Sequence, residues 1–195
     1  MMTYFKSMAS IDNNLQTQTL DLSLQKMITC QTLNEIVSTQ TIKPNTKHTE
    51  LKQRLCVSAI TSEYCETYRP EGIVFETTDN PSYAVPFDLM MLTKGITFTS
   101  SDYNASFLPK YQKLVYSDVK KMLKITPEIA LKKLNEFRKE SGLEEVATKK
   151  YNEVCFEKEI KIIPKALIGT SKETKDIASK YNLPHYTTIK EYLTI

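Results

Sequence analysis

Cys30, Cys56, Cys65 and Cys155, together with His48 and His185, are the side chains best suited to metal ligation or nucleophilic attack. Their spacing assigns them neither task. No two cysteines form a CxxC pair, and neither histidine stands at a zinc-ligand spacing from a cysteine. Reduced cysteines of an intracellular protein are the expectation, with no metal and no cofactor. Neither histidine has a nucleophile close by in sequence, so a catalytic dyad would have to assemble in three dimensions. Basic side chains offer a different chemistry. Lys120, Lys121 and Lys124 fall near one expected helix, and Lys132, Lys133, Arg138 and Lys139 on the next, where they could neutralise nucleic-acid phosphates. Glu136 and Glu140 share the second helix and weaken its field. Weak, sequence-independent binding is therefore the most that this set predicts.

With only four glycines, the chain has no GxxxxGK[ST] phosphate loop, no GxGxxG dinucleotide turn and no GxSxG nucleophile elbow. Gly169-Thr170-Ser171 precedes an expected helix, and its free N–H groups could hold a phosphate. A capping turn uses the same residue types, with Ser171 or Thr170 as the cap and Glu173 near the third position, and is the simpler expectation.

Three short stretches carry resemblances. Glu71-Gly72-Ile73-Val74-Phe75 resembles the EG-hydrophobic element of polynucleotide ligases, in which the glutamate contacts the nucleotide ribose or a metal. That family also uses a lysine nucleophile in a KxDG or KxNG element, which this chain lacks, so a buried strand opened by a Pro–Glu–Gly turn is the expectation. Thr174–Leu193 resembles a helix-turn-helix, with Ile177-Ala178, a break at Asn182 and a recognition helix from about Pro184. The β-favouring run His185–Ile189 argues instead for a strand. The C-terminal order of strand, helix, short strand and helix resembles the tail of PD-(D/E)XK nuclease-like domains. That resemblance implies a metal held by clustered carboxylates, with Asp88 as the first acid and Glu159 and Lys161 as the ExK pair. Glu159 follows Asp88 by 71 residues, and the intervening Thr97-Phe98-Thr99 stands where the pair belongs, so a fold relative without the site is the expectation.

The elements that would position these residues are legible in part. Ile160–Ile168, a turn at Gly169-Thr170-Ser171, a helix over Lys172–Tyr181 and a β-run at His185–Ile189 predict a βαβ-type unit. Thr126 as N-cap, Pro127 at the first position and Gly142 as the stop predict a helix with Ala130, Leu131, Leu134 and Phe137 inward. Leu114–Leu123 predicts another helix. So does Glu50–Tyr64, through Leu51, Leu55, Ala59 and Ile60. Gly72–Thr77, Tyr83–Val85, Leu89–Leu92 and Ile96–Thr99 read as short strands, which predicts an antiparallel meander. Val154-Cys155-Phe156 returns to strand character.

Residues 1–49 are rich in Gln, Thr, Asn and Ser. Leu15, Leu20, Leu22 and Leu24 suggest a short strand, and Met27, Ile28, Leu33, Ile36 and Val37 a helix capped by Thr32 or Thr29. The expectation is a partly helical polar arm over 1–49 and one α/β domain over 50–195. Its fold class is α/β (or α+β), a mixed sheet with helices packed on it. The start of the chain has no apolar core of a secretory signal, and no run is long enough to span a membrane. A cytoplasmic or otherwise intracellular location follows. Residues 1–98 carry 8 Lys/Arg against 10 Asp/Glu, and residues 99–195 carry 18 against 13. Abundant Lys, Ile, Asn, Thr and Tyr, with no tryptophan, suggest an AT-rich coding genome such as a virus or mobile element. Together these features predict a non-enzymatic accessory protein that engages a macromolecular partner. A protein partner comes first, with nucleic acid bound through the C-terminal half second. A metal-dependent nuclease and a DNA-binding regulator are the rival readings.

Overall fold

Thr3-Tyr4-Phe5 is β-favouring and apolar to both sides, and it becomes the middle strand of the protein. The structure, a computed structural model, describes residues 2–7, 31–44, 55–67, 69–88, 91, 112–147 and 150–194. Strand β1 (Thr3–Ser7) lies between β3 (Leu55–Ala59) and β4 (Gly72–Glu76). Beyond β3 come β6 (Glu153–Phe156) and then β5 (Tyr83–Val85); beyond β4 come β8 (Ile163–Ile168) and β9 (His185–Tyr186). Every pairing in this seven-stranded sheet is antiparallel except β8 with β9. A separate pair joins β2 (Thr41–Ile42) to β7 (Ile160–Lys161). The mixed sheet and its helices form an α/β or α+β fold.

Helices cover both faces. On one face α1 (Leu33–Thr39), α2 (Val119–Met122) and α4 (Lys172–Lys180) close a single core containing Tyr4, Val57, Ile73, Phe75, Phe156 and Leu167. On the other face there are two separate apolar clusters. One gathers Val85, Phe87 and Leu114 under α3 (Pro127–Glu140). The second gathers Phe5, Val74, Ala166 and Ile168 under α5 (Ile189–Leu193).

This wiring corrects the boundary drawn at residue 49. Thr3–Ser7 is the central strand, and Leu33, Ile36 and Val37 of α1 belong to the main core. These parts of 1–49 belong to the domain and do not form an arm, because a strand buried on both faces cannot detach without opening the sheet. Gly72 shows how closely β1 and β4 approach: a Cβ there would collide with the Lys6 carbonyl oxygen and the Phe5 ring.

The C-terminal βαβ unit is present as β8, α4 and β9, with Ser171 as the cap of α4. The run 160–168 divides into β7 and β8, and a bulge opposite Val74/Phe75 accommodates Pro164, which cannot donate to a ladder. Helix α3 begins as expected: Thr126 Oγ1 accepts the Ile129 N–H at 3.4 Å, and Pro127 follows. It ends in a Schellman turn, with Leu143 N–H donating to Arg138 C=O at 2.8 Å and Gly142 at φ +71°. Ala130 and Leu134 are buried, while Leu131 and Phe137 are half-buried.

Two expected helices take other forms. Within 50–64 the described backbone is β3, because Leu55, Val57 and Ala59 alternate with Cys56 and Ser58. Within 114–123 a 3₁₀ turn ends at Leu114, Tyr116 bridges to Ala84, and α2 starts only after its cap, Asp118. The antiparallel pairings are also long-range: β4 and β5, consecutive in sequence, do not pair. The expected runs at 15–24 and 96–99 lie outside the described residues, as does 89–92 apart from Met91.

Candidate functional site

Between the two apolar clusters of the second face runs a polar strip carried by β3 and β6. Cys56 stands opposite Cys155 in the ladder. The Cys155 carbonyl accepts from Ser82 N–H at 2.8 Å, toward β5, and the Cys56 carbonyl accepts from Lys6 Nζ at 2.9 Å, away from β6. Neither backbone faces the other, so this is a non-hydrogen-bonded pair, the kind whose side chains approach most closely. The two Sγ atoms are 3.3 Å apart and share a hydrogen bond. Glu153, two residues before Cys155, projects to the same face. Ligand atoms of Cys56, Glu153 and Cys155 all lie within 4.8 Å of one another.

The surroundings fix the protonation of this group. The hydrogen bond with Cys56, and then burial, push the Cys155 thiol well above its ordinary range. A thiol held protonated is a poor nucleophile, so a thiolate attack by Cys155 is disfavoured. Lys6 is 4% exposed. Burial lowers its pKa, while Cys56, Glu153 and Cys155 pull it back up. Tyr151, held up in pKa by burial and then by Glu153, donates its O–H to the Glu153 carboxylate at 3.4 Å. At the end of the strip the Asn152 side chain substitutes for a strand, bonding Ala59 N–H at 2.9 Å and Ala59 C=O at 2.8 Å. Cys56 and Glu153 are part-exposed and Cys155 is buried, so the group is reached from one side.

The residues expected to do chemistry do not join this group as ligands, although Asp88 lies close enough to Tyr151 for its charge to help raise the Tyr151 pKa. Asp88 follows β5 at an edge of the large sheet. Glu159 precedes β7 of the small sheet, 49% exposed and paired with Lys43 at 3.8 Å. The Lys161 side chain is exposed, and the backbone N–H of Lys161 donates to the Asp79 carboxylate at 2.9 Å. Among the described residues, no convergent group of three metal-ligating side chains includes Asp88 or Glu159.

Glu71 has a structural task. Its carboxylate accepts from the N–H groups of Thr170 at 3.2 Å and Ser171 at 2.8 Å, filling the anion position at the start of α4. That position is where a phosphate would have bound the Gly169-Thr170-Ser171 turn. Residues 184–193 are not one helix: His185–Tyr186 pairs with β8, and α5 starts at Ile189, which is buried. The strand takes the place of the turn that a helix-turn-helix requires. His185 Nε2 lies 3.5 Å from Thr174 Oγ1, whose hydroxyl donates to Ser171 C=O at 2.9 Å. His48 lies outside the described residues.

Of the candidate phosphate contacts, Lys120, Lys121, Lys124, Lys132 and Lys139 are exposed and Lys133 is half-exposed. Arg138 leaves the set. It is 2% exposed, with Nε donating to Glu144 C=O at 2.6 Å and Nη1 to Met91 C=O at 2.8 Å. As the fourth buried position of α3, it ties the loop beyond the helix to the chain after β5.

Compared with protein-family models, with curated proteins and with solved structures, the chain matches none. No helix among the described residues is long and apolar enough to cross a membrane.

Proposed function

We propose that this protein is a non-enzymatic accessory protein that engages another protein through the outer face of α3. The observation that carries the reading is the composition of that face. Exposed Lys132 and Lys139 are interspersed with exposed Glu128, Glu136 and Glu140, and Ile129 stands among them at 46% exposure. Lys132 and Glu136 pair at 4.0 Å. The glutamates weaken the field that a phosphate backbone would need, whereas an exposed aliphatic side chain inside a charged rim is compatible with a protein partner. The absence of Asp88 and Glu159 from the convergent ligand group among the described residues, and the strand at 185–186, weigh against the nuclease and regulator readings.

Affinity capture of the tagged full chain from its native host, with and without nuclease treatment, tests the proposal. The expected result is a protein that co-purifies after nuclease treatment and is lost when Lys132 and Lys139 are both changed to Glu. Mobility-shift titrations with DNA and RNA supply the opposing result. Tight binding that survives physiological salt would place nucleic acid first.

A further inference from the structure

Cys56, Glu153 and Cys155 form the one convergent group of metal-ligating side chains among the described residues. We propose that they bind a thiophilic divalent cation of the zinc class, with water completing a four-coordinate site. The donor set fits: two sulfurs and one carboxylate oxygen are ligands that zinc accepts, and three protein ligands plus water is the arrangement of an open zinc site.

The geometry is close to what such a cation needs. Zinc–sulfur bonds of about 2.3 Å at a tetrahedral angle place two sulfurs about 3.8 Å apart. The observed separation is 3.3 Å, so the thiols need to open by only about 0.5 Å, a side-chain adjustment on a fixed ladder. All three ligands sit on adjacent strands of one sheet, which holds their Cα positions rigidly.

Charge closes as well. Two thiolates and a carboxylate bring three negative charges; the cation supplies two positive charges and Lys6 the third. Lys6 Nζ rests on the Cys56 carbonyl, so it balances charge without occupying a ligand position. Tyr151 O–H orients the Glu153 carboxylate, the outer-shell support that metal ligands require. Part-exposed Cys56 and Glu153 give the ion its path, with Cys155 at the back.

The test uses the full chain, reduced and stripped of metal with a chelator, titrated with cobalt(II) and then zinc(II). The expected result is one cobalt per chain with sulfur-to-cobalt charge-transfer absorption, displaced by one equivalent of zinc. Zinc binding to the two thiols should release about two protons. Zinc should also protect Cys56 and Cys155, but not Cys65, from alkylation. Glu153→Gln should weaken zinc binding about tenfold or more while keeping the charge-transfer band, and Cys56→Ser or Cys155→Ser should abolish the band. If the serine variants fail to fold, alkylation protection in the unaltered chain decides the matter. Absence of both the band and the protection would overturn the proposal. So would formation of a Cys56–Cys155 disulfide by a reduced chain that takes up no metal, which would make the pair a redox element instead.

Discussion

The two faces of the central sheet differ in what lies between their apolar clusters. On the first face, Tyr4 stacks on Phe75 at 5.7 Å and meets Phe156 edge-on at 6.1 Å, and the core runs unbroken beneath α1, α2 and α4. On the second, Cys56, Ser58, Glu153 and Cys155 interrupt the apolar surface, and their side chains are held by Tyr151 and by one another. The same strands serve both faces, because alternate residues point opposite ways. The difference shows where this protein accepts a cost. A buried polar group must be matched by a partner, whereas a buried phenyl ring needs only close packing. The first face is therefore the main source of stability, and the second gives up apolar area to hold polar groups.

The comparison breaks most directly at Phe75. Fully buried in the first core, it should cost about 3–5 kcal/mol when changed to Ala, read from urea denaturation. A loss below that of any second-face substitution would reverse the assignment of stability to the first face. Arg138 probes the second face beside the strip. Arg138→Ala removes two charged hydrogen bonds and leaves the Glu144 and Met91 carbonyls without them. The expected loss is about 2–3 kcal/mol. Glu71→Ala, which empties the anion position at the start of α4, should cost about 1–2 kcal/mol. Hydrogen exchange should locate the weakening at Thr170 and Ser171, with the main core unaffected.

Acid should reveal a smaller effect outside both faces. The Lys161 N–H, and then Lys158 and Thr77, hold the Asp79 carboxyl below its ordinary value of 3.8. The unfolded chain then binds that proton more readily than the folded one, so stability rises with pH in the window beneath 3.8 and is lost as pH falls through the folded value. Asp79→Asn should flatten the acid limb of the stability–pH curve and leave its slope near neutrality unchanged. The smallest expected change is at the surface of α3. Lys132→Ala breaks an exposed i,i+4 pair with Glu136 and should shift stability by less than about 0.5 kcal/mol. A larger loss would mean that this face packs against something.

What the sequence by itself determined was local. Thr126, Pro127 and Gly142 mark the two ends of α3, and Ser171 caps α4, because capping depends on residues within one turn of each other. The β8-α4-β9 unit is legible for a related reason: its three parts are contiguous, and their periods differ. Tertiary structure decided the rest. Thr3–Ser7 carries an ordinary β signal, yet nothing local says that it pairs with strands beginning at residues 55 and 72. Arg138 reads as a surface cation until the Glu144 and Met91 carbonyls are brought to it. Cys56 and Cys155 are 99 residues apart and match no ligand spacing. Only the β3–β6 register sets them face to face, and a one-residue slip would have sent one of the thiols into the opposite core.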